Sequence, residues 1–300
     1  MSRALTPTLT LRDALLALAV VAVWGSNFVV IKLALGHLPP FLFATLRFTL
    51  AALPLVFFLK RPPVRLRNLA AYGILIGVGQ FGLLYLALDG LIAPGLASLV
   101  VQVQVFFTIG LAVWLSGERV QPVQLVALAL GAAGIALIAA HTGGGTTVAG
   151  IALVLAAAAS WAGGNIVQRA SPGVPMLAYV VWASLFAVPP LVVLTLIFEG
   201  PRIMPALAAA GAGTWAAVLW QSVGNTMFGY AAWGGLLTRY PAATIAPLPL
   251  LVPVFGMGSA ALFLGEALPA WKLEAAALVI GGLALNLLWP RLSRRFSPAA

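Results

Sequence analysis

Gln221 and Asn225 stand four residues apart inside an apolar stretch, with Ser222, Thr226 and Trp233 on the adjoining stripe. At helical spacing the two amides share a face. Asn27, Gln80, Gln102 and Asn165 lie within other apolar stretches, and Trp24, Tyr85, Trp161, Trp182 and Trp220 offer aromatic walls. The chemistry open to such a set is non-covalent. An amide carbonyl accepts from an ammonium, and an amide NH2 donates to a carboxylate. Together they replace the water that a zwitterion loses on entering a low-dielectric site. The competing reading of each amide is interhelical glue, and of each Trp an interface marker.

Covalent chemistry has no comparable candidates. The chain has no cysteine, and its two histidines, His37 and His141, fall in connecting segments. Its six acids, Asp13, Asp89, Glu118, Glu199, Glu266 and Glu274, fall at the ends of apolar runs or between them. Serine or metal chemistry inside a membrane wants a buried His or Asp partner, and the apolar runs hold none. No enzyme activity, metal site or cofactor is expected. A carboxylate that alternates between proton and cation, the usual device of cation exporters, has no candidate at mid-run. Glu118 and Glu266 each precede a predicted helix, where a carboxylate suits the positive N-terminal end. Arg47 is the main charge within a run, about 10 Å along the axis from its start. It either grips a substrate carboxylate bidentately or is held by helix-end carbonyls as structural glue. Lys32, near the end of its run, is expected to snorkel to the interface.

The elements that carry these residues follow from composition. The 300 residues are 62% hydrophobic and 7% charged, against about 25% charged in a soluble domain. Lipid is then the outer solvent, and only helices or closed barrels satisfy their backbones in lipid. The apolar runs do not alternate with polar residues and approach the length of a helical span, about 20 residues. They predict helices over 13–35, 40–59, 69–88, 94–116, 122–140, 149–168, 176–198, 211–237, 241–264 and 270–289. Breaks carry turn chemistry, as at Leu38-Pro39-Pro40, Arg61-Pro62-Pro63 and Glu199-Gly200-Pro201. The first run is too long for a cleavable signal. The net charge of +10 reads as topology, not as nucleic-acid binding. With the N-terminus inside, Arg3, Arg12, Lys60, Arg61, Arg65, Arg67, Arg119, Arg169, Arg239, Arg291, Arg294 and Arg295 are cytoplasmic. Only Lys32, Arg202 and Lys272 then lie at the outer end, so both termini are expected in the cytoplasm.

The chain also repeats itself. Trp24-Gly25-Ser26-Asn27 is echoed by Trp161-Ala162-Gly163-Gly164-Asn165, and Gly117-Glu118 by Gly265-Glu266. The offsets, 137 and 148, differ by an insertion expected as a loop near 199–210. Five spans per half insert the second copy upside down relative to the first, a transporter architecture. The boundaries are 1–145 for the first repeat and 146–300 for the second. Pro247, Pro249 and Pro253 in the ninth run read either as a hinge or as a fixed kink.

Trp24 through Lys32, Leu46-Arg47-Phe48 and Gly95 through Val100 resemble the drug/metabolite transporter superfamily in its EamA branch. Ser160 through Ile166 and Ala246 through Val254 resemble the bacterial amino-acid exporters of that branch, nearest those for cysteine and O-acetylserine and more distantly the aromatic amino-acid exporters. The resemblance covers almost the whole chain. It implies an all-α polytopic membrane protein with ten transmembrane helices, as two inverted five-helix repeats around a central cavity, the fifth and tenth spans standing aside. It further implies an inner-membrane exporter of small neutral amino acids and related metabolites, working by alternating access. The alternatives are a carrier of another metabolite class or a lipid-carrier flippase. Expected substrate-binding residues are Asn27, Arg47, Gln80, Tyr85, Gln102, Trp161, Asn165, Gln221 and Asn225. The expected partners are a small-molecule substrate and the lipid bilayer, with no nucleic acid and with the chain acting as a monomer.

Overall fold

The computed structural model describes residues 9–116, 121–143, 145–240, 242–245 and 247–296. Among them the regular structure is helical: α1 Leu11–Leu35, α2 Pro40–Val56, α3 Leu66–Leu88, α4 Pro94–Leu115 and α5 Pro122–Ala140. There follow α6 Val148–Arg169, α7 Met176–Ala209, α8 over 212–239, α9 Leu248–Leu264 and α10 Ala270–Phe296. The Gly117-Glu118 half of the second repeat motif lies outside the described residues, as does Arg119. Seven helices are long and apolar enough to cross a membrane: α1, α3, α4, α5, α6, α7 and α10. Helices α2 and α9 are apolar but shorter. Helix α8 falls short in hydropathy because Gln221, Ser222, Asn225 and Thr226 occupy its middle.

Local sequence explains several starts. Thr10 accepts from the Asp13 N–H and Thr147 from the Gly150 N–H, each satisfying a first-turn donor of its helix. Gln121 and Gln124 cap α5 reciprocally. Gly265, at φ 65°, closes α9 in the left-handed region that only glycine enters freely. One predicted break is absent. Helix α7 runs through Glu199-Gly200-Pro201 to Ala209, so the extra residues of the second half are helical rather than a loop. A capping contact across helices accompanies the continuation. The Glu199 carboxylate accepts from the Phe41 and Leu42 N–H groups, both at 2.8 Å, at the exposed-donor end of α2. That contact keeps the end of α7 packed on α2.

Other charges tie helix ends in the same way. Lys32 Nζ donates to the Leu88 carbonyl at 3.1 Å, at the C-terminal end of α3. Glu266 serves a second helix besides the one that follows it. It accepts from the Gly95 N–H at the start of α4 (3.0 Å) and pairs with Lys272 at 2.8 Å. Asp13 of α1 pairs with Arg239 of α8 at 2.6 Å and accepts from the Tyr240 hydroxyl.

Packing sets α2 on α7, α1 on α9, α6 against α3 and α4, and α5 on α10. Four stretches depart from α winding. Helix α3 is π-wound over Ile74–Gly82 and α8 over Trp220–Phe228. Helix α4 tightens to 3-10 over Val101–Val103, and α9 opens with a 3-10 turn, Leu248–Leu251. A single helical turn, Ala242–Ile245, precedes it. Pro253 sits in the first turn of the α part of α9, where its missing N–H costs little. The carbonyl four residues before it, on Pro249, accepts instead from the Val252 N–H and from Gln102 Nε2 at 3.3 Å.

Candidate functional site

All four irregular stretches border one central cavity of about 370 Å3. Its polar wall is made of amides: Asn27 of α1, Gln80 of α3, Gln102 and Gln104 of α4, Asn165 and Gln168 of α6, and Asn225 of α8. Its apolar wall is mainly aromatic: Trp24, Tyr72, Phe81, Trp161, Tyr230 and Trp233. Among the described residues no acidic or basic side chain lines it, and neither α5 nor α10 contributes to it. Gln168, Met176 and Leu237 extend the lining to one end of the bundle, where α6 and α8 finish and α7 begins. Gln102 spends its NH2 on Pro249, and Asn165 Nδ2 donates to Gln104 Oε1 at 2.8 Å. The wall is thus braced by its own amides. No group of three His, Cys, Asp or Glu among the described residues gathers to hold a metal.

Behind this wall lies a fully buried polar network. Asn27 and Gln221 exchange amide hydrogen bonds, Gln221 Nε2 donating to Asn27 Oδ1 at 2.6 Å and Asn27 Nδ2 to Gln221 Oε1 at 3.3 Å. The Tyr85 hydroxyl donates to Gln221 Oε1 at 3.0 Å and accepts from Arg47 Nη1 at 2.9 Å. Arg47 Nη2 donates to Thr226 Oγ1 at 3.3 Å, and its guanidinium carbon stands 3.6 Å from the centre of the Phe81 ring. Arg47 is 1% exposed and, among the described residues, has no carboxylate within ion-pairing reach. A buried guanidinium is tolerated only with such compensation. The aromatic face supplies part of it, about 2 kcal/mol when desolvated.

The sequence as a whole matches a family model twice, over residues 11–140 and 148–288, and the model describes the EamA-like transporter family. The chain belongs to that family. A "Probable amino-acid metabolite efflux pump" of Salmonella typhimurium is 42% identical over 290 residues, covering 94% of this chain and 97% of that protein. Its namesake in Escherichia coli is 41% identical, covering 92% and 95%. A "Probable terminal-alkyne amino-acid exporter" of Streptantibioticus cattleyicolor is 25% identical, covering 88% and 90%. A crystal structure at 21% identity superposes with a TM-score of 0.64, covering 96% of this chain and 99% of that one, and so shares the fold.

In this EamA-like transporter six of the expected residues reach the cavity: Asn27, Gln80, Gln102, Trp161, Asn165 and Asn225. Arg47, Tyr85 and Gln221 do not line it and form the network behind. Gln221 and Asn225 therefore play different parts, Gln221 in the buried network and Asn225 in the cavity wall. The π winding of this stretch sets the backbone register at i, i+5, and the Thr226 hydroxyl accordingly donates to the Gln221 carbonyl, at 2.9 Å. In α3, Gly73 and Gly77 face Ala183 and Ala187 of α7, and Gln80 lines the cavity. Trp182 is no cavity wall; its Nε1 donates to the Leu59 carbonyl at 3.0 Å. Trp220 borders a separate groove. Gln104, Gln168, Tyr72 and Tyr230 were missed. Gln104 stood two residues from Gln102, and Gln168 one helical turn from Asn165, which is the signal that marks them.

The two amides of α8 should now behave differently. Gln221→Ala strands the Asn27 amide and the Tyr85 hydroxyl, each at about 1–3 kcal/mol if left unpaired and about 0.6 kcal/mol if membrane partners are replaced. Its melting temperature should fall clearly. The Asn225 side chain makes no hydrogen bond to a described protein group, so Asn225→Ala should keep its melting temperature and lose transport. Thermal melting and uptake on the same purified variants test this. Equal melting losses would contradict it.

Proposed function

We propose that this chain exports small neutral amino acids and related metabolites, sulfur-containing, hydroxylated or aromatic, across the bacterial inner membrane by alternating access. One observation carries the reading: a cavity of about 370 Å3 walled largely by amides and aromatic rings, with no charged side chain among the described lining residues. Such a wall suits a solute whose own charges cancel. A cation would want a carboxylate there, and a dianion several Lys or Arg. The names of the 42% and 41% identical relatives support amino-acid metabolites as the class.

The architecture in this reading is ten membrane helices in two inverted repeats, 1–145 and 146–300, with both termini cytoplasmic. The double family match supports it. So does the recurrence of irregularity: π winding in the third helix of each half, a 3-10 turn in the fourth. The cavity's extension toward Gln168, Met176 and Leu237 is then an inward-facing state. Glu266 with Gly95 and Lys272 seals the opposite end. A lipid-carrier reading would want a lateral door. The apolar groove of about 580 Å3 beside Val30, Leu33, Ala217 and Trp220 shares no lining residue with the cavity.

Uptake into proteoliposomes from a panel of neutral, cationic and anionic amino acids tests the reading. Neutral amino acids should be favoured by about tenfold or more, the worth of one unpaired buried charge contact. Flux should follow the substrate gradient alone, with ionophores present. Equal transport of lysine or glutamate, or flux that vanishes without a proton gradient, would contradict it.

A further inference from the structure

Two buried side-chain polar atoms among the described residues have no hydrogen-bond partner: Arg47 Nε and Gln80 Oε1. Such orphans are costly, more so for a charged group than for a neutral one, so two that meet through one residue ask for an explanation. They are close in the fold. Gln80 lines the cavity and is 5% exposed. Its neighbour Phe81 also lines the cavity, and the Arg47 guanidinium lies on the Phe81 ring. They are also opposite in character. Gln80 Oε1 is a pure acceptor, and Arg47 Nε–H is a donor that carries positive charge. An acceptor and a cationic donor left open beside one cavity match the two ends of a zwitterion.

We propose that Gln80 and Arg47 form a polarised receptor for one amino acid, Gln80 Oε1 taking its ammonium and Arg47 its carboxylate, with the Phe81 ring as the screen that must move to admit the carboxylate. This rests on the function proposed above and assigns its polarity. With the ring in place the guanidinium is held by Tyr85, Thr226 and the aromatic face while its Nε–H stays unpartnered, and among the described residues the cavity is lined by neutral groups. With the ring displaced, Arg47 keeps its two hydrogen bonds and its unpartnered Nε–H donates to a carboxylate that enters where the ring stood. A fork donor binds that group more tightly than a neutral amide does. The Phe81 ring has room to be selective. It packs edge-on to Phe48 and Tyr85, at 5.8 Å and 5.9 Å between centroids, and is held by no hydrogen bond. A substrate lacking a carboxylate has nothing to exchange for the ring face and gains little. The receptor therefore reads both charged ends, while side-chain identity falls to Trp24, Trp161 and Trp233.

The test compares three inhibitors of labelled amino-acid uptake in proteoliposomes: the best-carried amino acid of the panel, its carboxamide and its des-amino acid. The wild-type protein should prefer the amino acid over each analogue by about tenfold or more. Gln80→Leu should erase the preference over the des-amino acid and keep the preference over the carboxamide. Arg47→Met should do the reverse. Should Arg47→Met fail to fold, Phe81→Ala carries that arm, since an unscreened guanidinium should raise the preference over the carboxamide roughly threefold or more. Unchanged ratios in Gln80→Leu, or an unchanged carboxamide ratio in Phe81→Ala, would overturn the assignment while leaving amino-acid export intact. A wild-type protein that carries no amino acid at all would instead remove the function on which it rests.

Discussion

Replacing Gly25 by valine is expected to abolish the folded protein. Gly25 is where α1 crosses α9 at backbone distance. A Cβ there would stand 2.5 Å from Phe255 Cβ, 2.6 Å from the Val252 carbonyl oxygen and 3.0 Å from the Gly256 N. Two of these atoms belong to backbone and cannot rotate away. Helix α9 has no room to retreat, because Gly256 is itself pressed against the Ser98 side chain of α4. The helix is gripped from both sides through glycines, the close approach that small residues permit in membranes. Overpacking in cores costs about 1–3 kcal/mol where side chains can adjust. Here the clash is with main chain, so the loss should reach the upper end or pass it, against a total stability of about 5–15 kcal/mol. Gly258→Val on the same helix is the control, since a Cβ there meets nothing within 4 Å and the site is exposed. Size-exclusion profiles in detergent should show a monodisperse peak for Gly258→Val and none for Gly25→Val. Similar profiles for both would contradict the packing described.

The motif around Gly25 shows what was legible. Trp24-Gly25-Ser26-Asn27 reads as one unit in sequence, yet its members act in different directions. Trp24 walls the cavity and donates to the Asn225 carbonyl at 3.2 Å; Gly25 admits α9; Ser26 bonds back to the Ala22 carbonyl; Asn27 joins Gln221. The sequence marks the unit as special because a polar residue in an apolar run needs a partner. It does not name the partner, which stands 194 residues away. Helix positions were legible for a stronger reason: a lipid-facing run must be apolar throughout its length, and few alternatives satisfy that. The error at α7 arose because Gly200-Pro201 carries ordinary turn chemistry, while the contact of Glu199 with the N–H groups of α2 cannot be read from local sequence.

Winding was the part that sequence hid. Ile74 through Gly82 and Trp220 through Phe228 carry no residue that demands a π turn. The extra width comes from packing, where Gly73 and Gly77 meet α7 on one side and Gln80 and Phe81 must face the cavity on the other. Helical spacing joined Gln221 with Asn225 but did not say that one would be buried in the network and the other would line the cavity. The polar composition of the site was legible; the division between cavity wall and supporting network was not. Arg47 illustrates the difference. Its depth in α2 was correct, but it is held by Tyr85, Thr226 and Phe81 rather than by helix-end carbonyls.

The second large effect concerns the cavity itself. Asn165 lies in its wall and is only partly buried, with its amide reaching Gln104 and Thr108. Asn165→Trp projects an indole into a space of about 370 Å3 that must also hold an amino acid. The surrounding helices need not move, because the added ring enters open volume rather than a packed contact. The melting temperature should stay near the wild-type value, since losing one partly buried amide pair costs about 0.6 kcal/mol in a membrane protein. Uptake per folded molecule should fall below about a tenth, the loss produced by roughly 1.4 kcal/mol of displaced binding. Uptake of a neutral amino acid into proteoliposomes by melting-matched wild-type and Asn165→Trp protein is the most direct measurement of the central claim. Transport abolished in a folded variant is the predicted result, and transport at the wild-type rate would place the substrate path outside this cavity.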